Sequence, residues 1–221
     1  MTDPSIDHSR LPERLTWEEF VALPEELAQL VEGLEHGRVI WARTGPRRNQ
    51  RAAVRFRNAL ETAWSEISGG SPGQCYEADS EQPIFFTGKD DFLKPDFILY
   101  RCLPTDEDDV PAASVVIAGE VLSPSNSVLD MARKTQRYAE AGIPWYWEVE
   151  PSKESVRVRI NALLPASEHR PAGVTPLRPY HYEPVASWEG AGDLAYHLPF
   201  PFRIPAASLA YTPGSSNQAG G

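Results

Sequence analysis

Three residues in this chain have types and spacing that suit chemistry together: Asp96, Glu120 and Lys134. Lys94-Pro95-Asp96 opens one apolar segment, 97–100, and Gly119-Glu120 closes another, 115–122. If those segments are neighbouring strands, both carboxylates meet at one end of a sheet. Two acidic side chains in a small polar site suit a hard divalent cation such as magnesium or manganese, which takes oxygen ligands from carboxylates, water and substrate phosphate. Such an ion activates water and stabilises charge on a phosphodiester under attack. The 24-residue separation leaves room for one loop and one strand. A lysine beside the pair could orient or deprotonate the water, or hold a nonbridging oxygen; burial would depress its pKa and the carboxylates would raise it.

Each residue also has a plainer reading. Asp96 after a proline suits a turn cap, and Lys134 on a helix suits a solvated charge paired with Asp130 one turn back. Glu120 is harder to explain away, because a carboxylate ending a strongly apolar strand is costly to bury without a partner.

The elements that must position these residues are legible in the periodicity. Thr16 and Glu19 form a capping pair for a short amphipathic helix carrying Trp17, Phe20 and Val21, and Pro24 restarts a second helical turn. Gly37 turns a hairpin or strand entry within 34–41. From 47 to 67, Ala53, Phe56, Leu60, Trp64 and Ile67 recur at helical spacing until Gly69, Gly70 and Pro72. Strands are expected at 75–79, 83–86, 97–100 and 115–122, and the continuous run Val115 to Ala118 marks the last as central. Ser127 with Asp130 caps a helix to about Ala141, with Val128, Met131, Thr135 and Tyr138 on its inner face. A strand at 145–150 then completes a crossover unit, and Val156, Val158 and Ile160 alternate as its hairpin partner. Trp145, Tyr146 and Trp147 read as packing residues and not as a base-stacking platform. Past Leu163, prolines and aromatic residues suit short antiparallel strands and packed loops.

At 221 residues the chain fits one domain, 15–211, with loose ends at 1–14 and 212–221. The 41% hydrophobic and 24% charged composition is that of a soluble protein, and the polar start lacks a signal-peptide core, so a cytoplasmic address is the default expectation. Cys75 and Cys102 have no CxxC pairing, so they read as two small buried hydrophobes and not as a zinc site or disulfide. A net charge of −10 argues against coating nucleic acid by bulk electrostatics. The charges are segregated, however: 106–109 is an acidic run, while Arg43, Arg47, Arg48, Arg51, Arg55 and Arg57 cluster. Taken by pattern alone, these are a solvated loop and a solvated helix face.

The run Lys94-Pro95-Asp96-Phe97-Ile98-Leu99-Tyr100, then Gly119-Glu120-Val121-Leu122-Ser123-Pro124-Ser125, then Asp130, Lys134, Tyr138, Ala141-Gly142-Ile143-Pro144 and Tyr146-Trp147 resembles the Uma-two family of bacterial restriction-endonuclease-like proteins. The resemblance spans roughly 15–151. It implies an α/β fold of the restriction-endonuclease-like PD-(D/E)xK type, a mixed central sheet flanked by helices. It further implies Asp96 and Glu120 as metal-binding acids, Lys134 as catalytic lysine, and the Val121 carbonyl facing the metal. Leu122 stands where the superfamily's ExK motif has its lysine, which in this branch has moved to the following helix. Two features depart from the family: Asn49 and Gln50 stand where members usually have a histidine, and the early acidic motif is echoed only by Glu32 and Glu35, either of which could be a third acid.

The leading expectation is therefore a magnesium- or manganese-dependent endonuclease acting on DNA, with Arg47, Arg48 and Arg51 meeting the phosphate backbone and a homodimer implied by the resemblance. The alternative is a catalytically silent module that keeps the fold for binding or dimerisation. A phosphodiesterase acting on a smaller substrate is a third possibility.

Overall fold

The computed structural model describes residues 12–42, 46–68, 74–124, 126–152, 155–165 and 178–209. Arg43, the tail expected at 212–221 and most of the loose start expected at 1–14 lie outside the described residues. Thr16 caps α1 (Trp17–Val21): its hydroxyl accepts from the Glu19 N–H at 3.2 Å while the Glu19 carboxylate accepts from the Thr16 N–H at 2.8 Å. After α2 (Glu25–Ala28), β1 (Val31–Glu35) and β2 (Arg38–Trp41) form an antiparallel hairpin. Its turn uses left-handed backbone at His36 (φ 49°) and Gly37 (φ 80°). The long α3 (Arg47–Ser68) follows, then β3 (Tyr76–Asp79), β4 (Ile84–Phe85), β5 (Phe92–Leu93), β6 (Phe97–Arg101), β7 (Val110–Pro111) and β8 (Val115–Val121). Next come α4 (Val128–Glu140), β9 (Trp145–Pro151), β10 (Val156–Pro165), β11 (Tyr180–Glu189), β12 (Leu194–Tyr196), β13 (Phe202–Ile204) and α5 (Ala206–Leu209).

The main sheet runs β11-β10-β9-β8-β6-β3, and a smaller one runs β2-β1-β5-β4-β7. Within the main sheet only β8 and β9 pair in parallel, as a strand–helix–strand crossover through α4 requires. All seven residues of β8 are buried, as expected of a central strand covered on both faces. On one face, Ala53, Phe56, Leu60 and Trp64 of α3 join a core with Phe97, Leu99 and Trp147. On the other, Tyr138 of α4 packs with Ile98, Ala118 and Tyr146. A third cluster of Leu15, Phe20, Val31, Leu34, Val39 and Phe92 fills the small sheet.

Gly119 is fixed by a close approach. It pairs with Phe97 across β6 and β8, and a Cβ placed on it would fall 2.1 Å from the Phe97 ring. The two strands thus bring Asp96 and Glu120 to one end of the sheet.

Two expectations are corrected. Cys75 and Cys102 are not separate buried hydrophobes: they are disulfide-bonded, with Cα atoms 5.3 Å apart, and Cys75 is exposed. The antiparallel register of Tyr76 with Arg101 extends one step outward and sets the two cysteines face to face. Val128 does not lie on the inner face of α4 but is 88% exposed, as its neighbour Leu129 is exposed, because the buried residues of that helix begin only at Lys134.

Candidate active site

Asp96 sits at the crossing from β5 to β6, where the chain passes from the small sheet to the main one. Its Oδ2 accepts from the Val121 N–H at 2.6 Å, so the end of β8 fixes the carboxylate. Glu120, one residue earlier in β8, is 3% exposed and held at both oxygens: Oε2 takes a hydrogen bond from Lys134 Nζ at 2.7 Å and Oε1 from the Tyr138 hydroxyl at 2.6 Å. Lys134 and Tyr138 are one turn apart on α4, so a single helix face supplies both donors. Lys134 is itself buried, and its ammonium also meets Glu32 Oε1 at 2.5 Å. Lys134 is thus no solvated surface charge.

Glu32, and not Glu35, is the third acid at this centre. Glu35 instead pairs with Arg133 on the outer side of α4. Strict alternation would put Glu32 and Glu35 on opposite faces, but the β1 register slips between Val31 and Gly33 and both carboxylates reach α4.

Asn49 supplies the polar contact at the start of α3. It is buried, and its Nδ2 donates to the Leu122 carbonyl at 3.0 Å and the Val121 carbonyl at 3.3 Å. Its Oδ1 is buried without a hydrogen-bond partner. Asn49 and Gln50 line the same cleft as Glu32, Asp96, Glu120 and Lys134, a hollow of about 620 Å³. A second hollow of that volume lies between Phe86, Lys89 and the acidic loop 106–109, away from these residues.

The electrostatics follow from crowding acids in a dry place. Burial, then the Glu120 charge, pushes the Asp96 carboxyl up to about 7. Burial also raises Glu32, against the lowering pull of Lys134. Burial alone would lower Lys134, but the Glu120 and Glu32 carboxylates outweigh it and hold its pKa above the ordinary lysine value. Lys134 is therefore an ammonium at neutral pH. Tyr138 is raised well above a free tyrosine by burial and by Glu120, so it remains a neutral donor.

Oxygen is the only donor type gathered here, which fits a hard divalent cation. Among the described residues no three histidine, cysteine or acidic side chains converge closely enough to hold an ion unaided. What the cleft offers is Asp96, Glu120, the Val121 carbonyl and room for water, the form in which magnesium is commonly bound. Burial first, and the neighbouring carboxylates second, hold the Asp96 and Glu32 carboxyls above their ordinary values despite the opposing pull of Lys134.

The arginines divide. Arg47 and Arg51 are exposed on the first turns of α3 beside the cleft-lining Asn49 and Gln50, while Arg48 is half-buried with its Nε unpartnered. Arg57 is turned away to the Ala78 carbonyl at 2.7 Å and Glu61 at 2.6 Å.

Residues 17–164 match the model of the Uma2 family, described as "Putative restriction endonuclease". The chain belongs to the Uma2 family. A crystal structure described as a "putative nuclease", from Anabaena variabilis ATCC 29413, superposes with a TM-score of 0.51 at 16% identity, covering 88% of this chain and 97% of that one. That likeness places the Uma2 chain in a nuclease-like fold. A comparison with curated proteins returned no match. Among the described residues no helix is long and apolar enough to cross a membrane. Within the Uma2 pattern, the departure at Asn49 is not a loss of contact: the side chain reaches the strand end that carries Glu120 and Val121.

Proposed function

We propose that this Uma2 chain is a metal-dependent endonuclease hydrolysing phosphodiester bonds in DNA, with Asp96 and Glu120 as metal-binding acids and Lys134 as the catalytic lysine. The observation that carries the reading is convergence: Asp96, Glu120 and Lys134 come from three separate elements and line one cleft, with Glu120 and Lys134 buried in direct contact. A divalent cation held by Asp96, Glu120 and the Val121 carbonyl would supply Lewis acidity to water and phosphate. The chain's own groups do the rest. Lys134 keeps its proton and acts as a charged donor toward the scissile phosphate, not as a base, because two carboxylates stabilise its ammonium. The Tyr138 hydroxyl fixes the Glu120 carboxylate, the Val121 N–H fixes Asp96, and Asn49 holds the Val121 and Leu122 carbonyls. Arg47, Arg48 and Arg51 at the start of α3 would meet the DNA backbone, and the homodimer implied by family resemblance belongs to the same reading.

One observation favours a second reading, a catalytically silent module for binding or dimerisation. Lys134 already bridges Glu32 and Glu120, so two of the site's acids have a cationic partner within the chain itself. Cleavage of supercoiled and single-stranded DNA in magnesium or manganese, with calorimetric metal binding, separates the two. The nuclease reading expects metal-dependent cutting lost in Asp96→Ala, Glu120→Ala and Lys134→Ala. Absence of both cutting and metal binding would leave the silent module.

A further inference from the structure

The cleft holds a second lysine that the proposed centre leaves unused. Lys94 stands two residues before Asp96 and lines the same hollow. Its main-chain N–H donates to the Glu32 carbonyl at 2.8 Å, anchoring it to β1. Its ammonium donates to the Ala28 carbonyl at 3.1 Å and lies 4.8 Å from the centre of the Phe20 ring. Neither partner carries a negative charge. The contrast with Lys134, held between two carboxylates, is sharp. Among the described residues Lys94 makes no ion pair within contact distance, although Glu25, Glu32, Glu81, Asp96 and Glu120 line the same cleft and the Glu81 charge acts on it from further off.

An ammonium has three donors and a compact charge, and the Ala28 carbonyl occupies one of them. Phe20 and the Ala28 carbonyl both hold the ammonium, so less side-chain freedom is left to lose on binding an anion. The five acids lining the cleft repel a phosphodiester, and Lys134 is shared between two of them. We propose that Lys94 is the cleft's phosphate-gripping residue, taking a nonbridging oxygen of an anionic backbone beside the scissile position. For DNA as the anion, this rests on the nuclease reading; the phosphate site itself does not.

The experiment uses the full chain as wild type, Lys94→Met and Lys94→Arg. Inorganic phosphate is titrated at fixed pH into protein carrying ¹³C at lysine Cε, with the Lys94 signal assigned by its loss in Lys94→Met. In parallel, binding of a short DNA duplex is measured over a range of salt. Phosphate should move the Lys94 signal, whether or not that of Lys134 responds. Lys94→Met should flatten the dependence of log Kd on log salt by about 0.9, the loss of one phosphate contact, and Lys94→Arg should restore it. A Lys94 signal unmoved by phosphate, with the salt slope unchanged in Lys94→Met, would overturn the proposal even if the wild type cuts DNA, and would leave Lys94 as a pin between α2 and β1. A moved signal in a protein that neither binds nor cuts DNA would keep the phosphate site and remove the nuclease reading.

Discussion

Replacing Lys134 by methionine is the sharpest physical test of the buried centre, because it keeps most of the side-chain volume and deletes only the charge. The ammonium is 2.7 Å from Glu120 and 2.5 Å from Glu32, and it is 6% exposed. Breaking a buried pair by removing one partner costs about 3–5 kcal/mol, since the other charge stays buried and unmatched. For a chain of this size that corresponds to a fall of roughly 10 °C in melting temperature. The loss should depend on pH in a definite direction. Glu32 in the folded wild type already holds its proton more tightly than in the unfolded chain, and Lys134 is what limits the rise of both Glu32 and Asp96. Without Lys134 both carboxyls rise further, so the folded variant binds more protons than the folded wild type between about pH 5 and 8. Stability linked to a raised carboxyl is lost as pH increases and recovered as it falls, so the deficit should be greatest at alkaline pH and shrink toward pH 5. Urea unfolding of both proteins in chelator across this range measures it. A deficit under about 1 kcal/mol, or one independent of pH, would refute the claim that this lysine neutralises the two acids.

Cation binding at Asp96 needs the carboxylate form, and its pKa is pushed up to about 7; calorimetry should show manganese affinity falling by up to about tenfold per pH unit below 7, with Asp96→Asn removing the binding. Asn49→Leu should cost about 1–3 kcal/mol in chemical denaturation, because buried carbonyls at Val121 and Leu122 lose their donor, and DNA cleavage should drop with it. Gly119→Ala should destabilise by about 1–3 kcal/mol through the Phe97 ring. Much of that cost should return in Gly119→Ala with Phe97→Leu, and a double-mutant cycle showing no coupling would remove the steric account.

Much of the fold was legible because strong local signals agreed with tertiary need. The apolar run of β8, the helical spacing in α3 and the Ser127 cap of α4 each specify their own element. The order Asp96, Glu120, Lys134 was readable as a motif, whereas its geometry required the sheet. A register slip in β1, which leaves no mark in residue type, lets both Glu32 and Glu35 reach α4, and only the three-dimensional pairing of Glu32 with Lys134 and of Glu35 with Arg133 tells them apart. The inward turn of Asn49 was unreadable because its partners, the carbonyls of Val121 and Leu122, lie 72 and 73 residues away. The Cys75–Cys102 pair was missed for the same reason: 27 residues separate them, and only the β3–β6 ladder makes them neighbours. Val128 was misplaced because periodicity gives a helix a face but not the point where its packing surface ends.

α4 helps to join the two sheets. The neighbours Arg133 and Lys134 meet Glu35 and Glu32, and one turn on Arg137 meets Asp91 and reaches toward the Leu34 carbonyl. Beside these ion pairs, Ile84, Leu93 and Val110 of the small sheet pack with Tyr138 of α4 and with Ile98 and Ala118 of the main sheet, so apolar contact and a row of cations share the joint. Lys134, in the middle of that row, is also the proposed catalytic group. On the proposed reading one residue is both rivet and reagent, and any event that draws the ammonium away from Glu32 toward a substrate would loosen one of the rivets between the sheets.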